Sequence, residues 1–197
     1  MSAAKQMELI SVEDYLTGEL DSEIRHEYLG GFVYAMAGAR TVHNRIATNW
    51  LLAIGQKLRG KPCEPFNSDM KVRVPLPTHT RFYYPDGMVV CDPNPDDATF
   101  QDRPVVIAEV VSESTRRTDE VEKRDHYFTI STLMAYMVIE TDRPRVVVHR
   151  RIDDSFFAEV YEGLEAVIPL EVIETELPLA ELYERVNFED VEQQSDG

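Results

Sequence analysis

The most apolar segment of the chain holds a single acid. In PVVIAEVV, residues 104–111, Glu109 has Val105, Val106, Ile107 and Ala108 before it and Val110 and Val111 after it. A carboxylate in such a run is costly to bury unless it is paired, hydrogen-bonded or bound to a cation. An ion pair with a nearby Lys or Arg would satisfy it as well as a functional site would. Upstream, Tyr83-Tyr84-Pro85-Asp86 ends one extended segment just before another, GMVVC. A Pro-Asp pair alone is an ordinary turn signal. Here the proline interrupts strand pairing and frees Asp86 to point away from the ladder. Two carboxylates on adjacent strands can hold one hard cation, Mg²⁺ or Mn²⁺, through oxygen ligands and waters. A cation so held polarises a phosphodiester and acidifies water.

Downstream of Glu109, residues 112–127 read SESTRRTDEVEKRDHY. A helix over about 118–130 would set Asp119, Lys123 and Tyr127 on one face at i, i+4 and i+8. Such a stripe is commonly a solvated face with an Asp–Lys pair. Turned toward the end of the Glu109 strand, the Lys123 ammonium could instead orient a water and stabilise charge developing on a phosphate. Other chemistries lack their residues. There is no CxxC, HExxH, nucleophile elbow, P-loop or dinucleotide fingerprint, and the five histidines are dispersed. Cys63 and Cys91 have neither a spaced partner nor a base nearby in sequence, which reads as two buried thiols.

The elements that must position these groups follow from periodicity and punctuation. Ser11 opens a short helix at 11–19, with Asp14 three residues on. HEYLGGFVYAMA, residues 26–37, reads as two strands around Gly30-Gly31. Thr41 caps a helix over 42–59 with Val42, Ile46, Ala53, Ile54 and Leu58 on one stripe, ended by Gly60 and Pro62. Residues 61–91 are strand-like, and Pro93 to Asp97 form a loop. The β-branched run 104–111 is a strand covered on both faces. AYMVIE, RVVVHR and FFAEVYE read as a three-strand meander at a sheet edge, and 178–186 as a last short helix. This order describes an α/β or α+β domain on a central mixed β-sheet flanked by helices, with one domain over 1–188 and an acidic flexible tail over 189–197.

Composition sets limits. With 197 residues, 43% hydrophobic and 28% charged, the chain can build one substantial core. No apolar run approaches the roughly 18 residues of a transmembrane helix. The MSAAKQMELI start lacks secretory-signal features, so a cytoplasmic location is expected. The net charge is −16, which counts against non-specific coating of DNA. The charge is uneven: residues 171–197 hold nine acids against Arg185, while Arg40 and Arg45, Lys57 to Lys61, and Arg116 to Arg124 form basic clusters.

The PD at 85–86, EVVSEST at 109–115 and DEVEKRDHY at 119–127 together resemble the PD-(D/E)XK nuclease superfamily, and within it the Uma-type restriction endonuclease family. RHEYLGGFVYAMAG at 25–38, His43 and AYMVIE extend the resemblance over most of 10–150 in the right order. The resemblance implies a restriction-endonuclease-like fold and a Mg²⁺- or Mn²⁺-dependent endonuclease. Asp86 and Glu109 would be metal ligands with the Val110 carbonyl, Lys123 would assist, and Glu27, His43 and Tyr127 match supporting positions. The superfamily's lysine two residues after the Glu is replaced by Val111, and the family's helix-borne lysine is matched by Lys123. DNA is the implied substrate and a homodimer the expected assembly, since paired cuts in a duplex need two sites. The alternatives are a non-cleaving nuclease-fold module that binds nucleic acid or protein, and a hydrolase of small phosphoesters, which would suit the acidic surface.

Overall fold

The computed structural model describes residues 9–111 and 122–188. In chain order the elements are α1 (Val12–Leu20), β1 (His26–Leu29), β2 (Phe32–Ala35), α2 (Thr41–Lys57), β3 (Glu64–Asn67), β4 (Lys71–Pro75), β5 (Thr80–Tyr83), β6 (Gly87–Val90), β7 (Phe100–Gln101) and β8 (Pro104–Val111). There follow α3 (Arg124–Tyr127), β9 (Ala135–Glu140), β10 (Arg145–Ile152), β11 (Ser155–Glu162), β12 (Val167–Leu170), β13 (Thr175–Pro178) and α4 (Leu179–Leu182).

The strands form two mixed sheets and a separate two-stranded hairpin, β12–β13. A six-stranded sheet runs β11-β10-β9-β8-β6-β3, with β8 and β9 parallel and the other pairs antiparallel. A five-stranded sheet runs β2-β1-β5-β4-β7. The division falls at Pro85-Asp86, between β5 of the second sheet and β6 of the first, where the proline cannot donate to a ladder. The apolar run 104–111 is the central strand expected, and its residues alternate between two cores. Val106, Ala108 and Val110 pack with Ile46, Trp50 and Ile54 of α2 and with Leu179 and Leu182 of α4. Ile107 and Val111 face the other way, onto Val72, Val74 and Tyr83 of the second sheet and Tyr127 of α3. The far face of the second sheet presents Tyr28 and Phe82 to Tyr15 of α1. The layers are therefore α1, five-stranded sheet, six-stranded sheet, and then α2 with α4.

Several local expectations hold for physical reasons visible here. Ser11 accepts the Asp14 N–H at 3.0 Å and caps α1. Gly30 and Gly31 adopt φ of 61° and 105°, the left-handed conformations that a tight two-residue hairpin needs. The 134–162 meander forms the expected edge, ending on β11.

Others are corrected. Thr41 is the first residue of α2 rather than its cap; Arg40 takes that position with no side-chain capping bond. The hairpin β12–β13 went unpredicted, because VIPL and TELP carry weak strand signals and no glycine turn. Cys63 and Cys91 are not free thiols: they form a disulfide. The β3–β6 register pairs Glu64 with Val90, so the two cysteines follow directly opposite one another, a proximity that a separation of 28 residues does not announce. Of the expected helix at 118–130, residues 122 and 123 form a π-type turn leading into the short α3; residues 118–121, including Asp119, and the tail 189–197 lie outside the described residues. Among the described residues, no helix is long and apolar enough to cross a membrane.

Gly87 opens β6 directly beneath Trp50, which is 1% exposed. A Cβ at this position would overlap the Trp50 ring. Gly87→Ala should therefore cost about 1–3 kcal/mol through overpacking. Urea unfolding of the variant should show a lowered midpoint at an unchanged slope, and an unchanged midpoint would refute the close approach.

Candidate active site

The β6–β8 register brings the two sequence-predicted acids together. Gly87 pairs with Ala108 and Met88 with Ile107, so the next position places Asp86 opposite Glu109. Asp86 is tied to the neighbouring strand, since its Oδ2 accepts the Val110 N–H at 2.7 Å. The same oxygen lies 3.0 Å from His43 Nε2, at the start of α2. The contact that Val110 makes with this pair is thus through its N–H.

Glu109 is 3% exposed and accepts the Tyr127 hydroxyl at 2.8 Å. Burial, and then the Glu109 charge, push the Tyr127 phenol well above its usual pKa, so it remains a donor to the carboxylate. Lys123 completes the group. Its Nζ lies 2.8 Å from Glu27 Oε1 and 3.8 Å from Glu109 Oε1, and stands 5.6 Å above the centre of the Tyr83 ring. Glu27 reaches this point from β1 because Tyr28 turns outward to α1, which turns its strand neighbours inward.

Seven residues singled out in the sequence therefore fall into two groups on adjacent strands: His43, Asp86 and the Val110 N–H, and Glu109, Tyr127, Lys123 and Glu27, joined through the Glu109–Val110 peptide and the β6–β8 register. Lys123 is only 8% exposed and faces two carboxylates, so it is not the solvated-face lysine of the plainer expectation. Asp86 and Glu109 offer only oxygen donors, a hard set that suits Mg²⁺ or Mn²⁺. No group of three or more His, Cys, Asp or Glu is spaced to hold a metal among the described residues, so waters would have to complete such a coordination sphere.

Sequence reasoning missed a second carboxylate that organises the first set. Glu19 of α1 is 6% exposed and accepts the His26 N–H at 2.8 Å and the Tyr84 hydroxyl at 2.9 Å, both at Oε1. Its Oε2 meets His26 Nδ1 at 3.1 Å. One buried acid thus fastens the residue before Glu27 and the residue before Pro85-Asp86. Lys71, 5% exposed, lies over the Tyr84 ring, and burial lowers its pKa against the opposing pull of Glu19. The available signal was helical spacing: Val12, Tyr15, Leu16 and Glu19 share one face of α1.

The arrangement agrees with the comparisons. The architecture is that of a restriction-endonuclease-like nuclease fold, a mixed α+β domain with its acids on the central sheet. A family model described as "Uma2: Putative restriction endonuclease" matches residues 12–180, and the chain belongs to that family. At that level it is a nuclease relative. It is 31% identical over 147 residues to uncharacterized protein slr1290 of Synechocystis, covering 74% of this chain and 76% of that protein. To uncharacterized protein sll1609 of the same organism it is 27% identical over 161 residues, covering 78% and 88%. A crystal structure of a putative nuclease belonging to DUF820 from Anabaena variabilis superposes with a TM-score of 0.71 at 16% identity, covering 90% of this chain and 99% of that one, a likeness of fold.

The Lys123–Glu27 contact gives a direct test of this geometry. Replacing Lys123 with Met leaves buried carboxylates without their cation and should cost on the order of 3 kcal/mol. Adding Glu27→Gln should recover part of that loss, giving a non-additive double-mutant cycle in denaturant unfolding. Strict additivity would mean that the two side chains do not meet.

Proposed function

We propose that the protein is a divalent-cation-dependent nuclease that hydrolyses phosphodiester bonds in DNA, with Asp86 and Glu109 holding Mg²⁺ or Mn²⁺. The supporting observation is the pairing of these two acids across adjacent strands with the Lys123 ammonium 3.8 Å from Glu109. The bound cation would supply Lewis-acid polarisation of the phosphodiester and acidification of water. The chain's own groups do the rest. Val110 N–H and His43 hold the Asp86 carboxylate in one orientation, and the Tyr127 hydroxyl does the same for Glu109. The Val110 carbonyl is the third oxygen donor of this reading. Lys123, released in part from Glu27, would place positive charge against a phosphate oxygen as negative charge develops there.

A second reading has one observation in its favour. Glu109 Oε1 is already engaged by Tyr127 and approached by Lys123, a satisfied set that a purely structural ion-pair cluster would also show. The chain would then be a non-cleaving module that binds nucleic acid or protein.

The two readings separate in a cleavage assay on supercoiled, linear and single-stranded DNA with Mg²⁺ or Mn²⁺. The nuclease reading expects wild-type cleavage that falls about 100-fold or more in Asp86→Ala and in Glu109→Ala, since metal-borne charge stabilisation is worth several kcal/mol. Circular dichroism should show both variants folded. Full activity in both would remove these acids from the site, and an inert wild type with every metal would leave the binding module.

A further inference from the structure

Beside the site lies an arginine whose charge is fixed in place without being neutralised. Many guanidinium groups of this acidic chain pair with carboxylates: Arg73 forks onto Asp102, and Arg143 and Arg145 both close on Glu140. Arg81 of β5 does not. Its Nε donates to His79 Nε2 at 3.2 Å and its Nη1 to the Tyr83 hydroxyl at 3.1 Å. Among the described residues it meets no carboxylate, and its second terminal nitrogen meets no protein acceptor.

Neither of its partners is a carboxylate. Because Nε2 of His79 accepts, its proton sits on Nδ1, 2.9 Å from Thr78 Oγ1. Burial keeps the Tyr83 phenol protonated, so that hydroxyl accepts from Arg81 and passes its own hydrogen to His126 Nδ1 at 2.9 Å. His126 stacks on Tyr83, and burial, then the Arg81 charge, lower its pKa, which keeps Nδ1 free to accept. The result is a half-buried guanidinium held at two nitrogens by an imidazole and a phenol, with its remaining N–H donors unspent.

The position matters as much as the charge. Tyr83 and Arg81 share one face of β5, and the Tyr83 ring that receives Arg81 at its hydroxyl carries the Lys123 ammonium over its face. The Tyr83 ring thus stands between Arg81 and the Lys123 amine of the candidate site, on the strand that leads to Asp86.

We propose that Arg81 is a phosphate anchor: it binds a backbone phosphate of the nucleic acid next to the one at the Asp86–Glu109 site, with His126 Nε2–H as an accessory donor. A planar guanidinium fixed at one edge presents its other edge to two phosphate oxygens, and prior fixation reduces the side-chain entropy lost on binding. A net charge of −16 makes such a local anchor necessary, since long-range attraction to a polyanion is lacking. The proposal rests on the nucleic-acid substrate of the preceding section and deepens it.

The test is binding without cleavage. Fluorescence anisotropy with labelled single-stranded and duplex DNA, and with RNA, is read in EDTA across a salt series for wild type, Arg81→Ala, Arg81→Gln and Arg81→Lys. Loss of one phosphate contact should reduce the log–log salt slope by about 0.7 to 0.9 in both the Ala and Gln variants, with about tenfold weaker binding, and Lys should restore most of the slope. Gln keeps a polar side chain of similar reach, so its agreement with Ala separates lost charge from lost packing. If wild type cleaves DNA while Arg81→Gln binds with unchanged slope, the anchor is overturned and the nuclease reading stands. If the slope depends on Arg81 but no metal supports cleavage, the anchor stands and the nuclease reading falls. Wild type that binds none of the three nucleic acids overturns the anchor.

Discussion

Everything at the candidate site depends on the antiparallel register of β6 against β8. Side chains alternate along a strand, so a slip of one position would carry Glu109 into the α2 core and bring Ala108 or Val110 into its place. Three contacts hold β6 in place, the first of them directly against β8. The Asp86 carboxylate takes the Val110 N–H, Gly87 admits the Trp50 ring where any larger residue would collide, and the Cys63–Cys91 bridge ties β3 to β6. They differ in kind, being a charge-assisted hydrogen bond, a steric fit and a covalent link.

The register also explains how a deeply buried acid is tolerated. Glu109 is surrounded by aliphatic neighbours along its own strand, but across the interface it meets a phenol and an ammonium. Those partners come from the chain after β8, while Glu27 comes from the far sheet. The site is assembled from five segments remote in sequence, β1, α2, the start of β6, β8 and α3 with the turn before it, and Glu19 fastens the first and third of them. Buried hydrogen bonds and ion pairs hold these groups in fixed orientations, and that limits the reorganisation required when charge changes at a candidate cation site.

Much of this was legible in the sequence because burial leaves a periodic trace. The run around Glu109 reads as a strand covered on both faces, and an acid inside it stands out for a reason of cost. Asp86 is legible through the proline beside it, and Gly30-Gly31 through the conformations only glycine adopts freely. What could not be read depends on distance in space. That β5 and β6 belong to different sheets, that Lys123 lies against Glu27, and that Cys63 faces Cys91 follow from registers set by tertiary packing. Arg81 has no periodic signature as one arginine in a strand of mixed character; its partners, His79 and Tyr83, are visible only in the folded hairpin. Trp50 was left off the α2 stripe, although it fills the space that Gly87 leaves.

The disulfide has a topological consequence. Cys63 and Cys91 bracket a covalent ring that contains β4, β5, Arg81 and Asp86, and closing a ring of this size restricts the unfolded chain by about 3.6 kcal/mol. The exposed turn between β4 and β5 lies within that ring. A chain clipped there would migrate as a single species until its sulfur link was reduced, and would then part into two fragments, Arg81 and Asp86 leaving together with the larger.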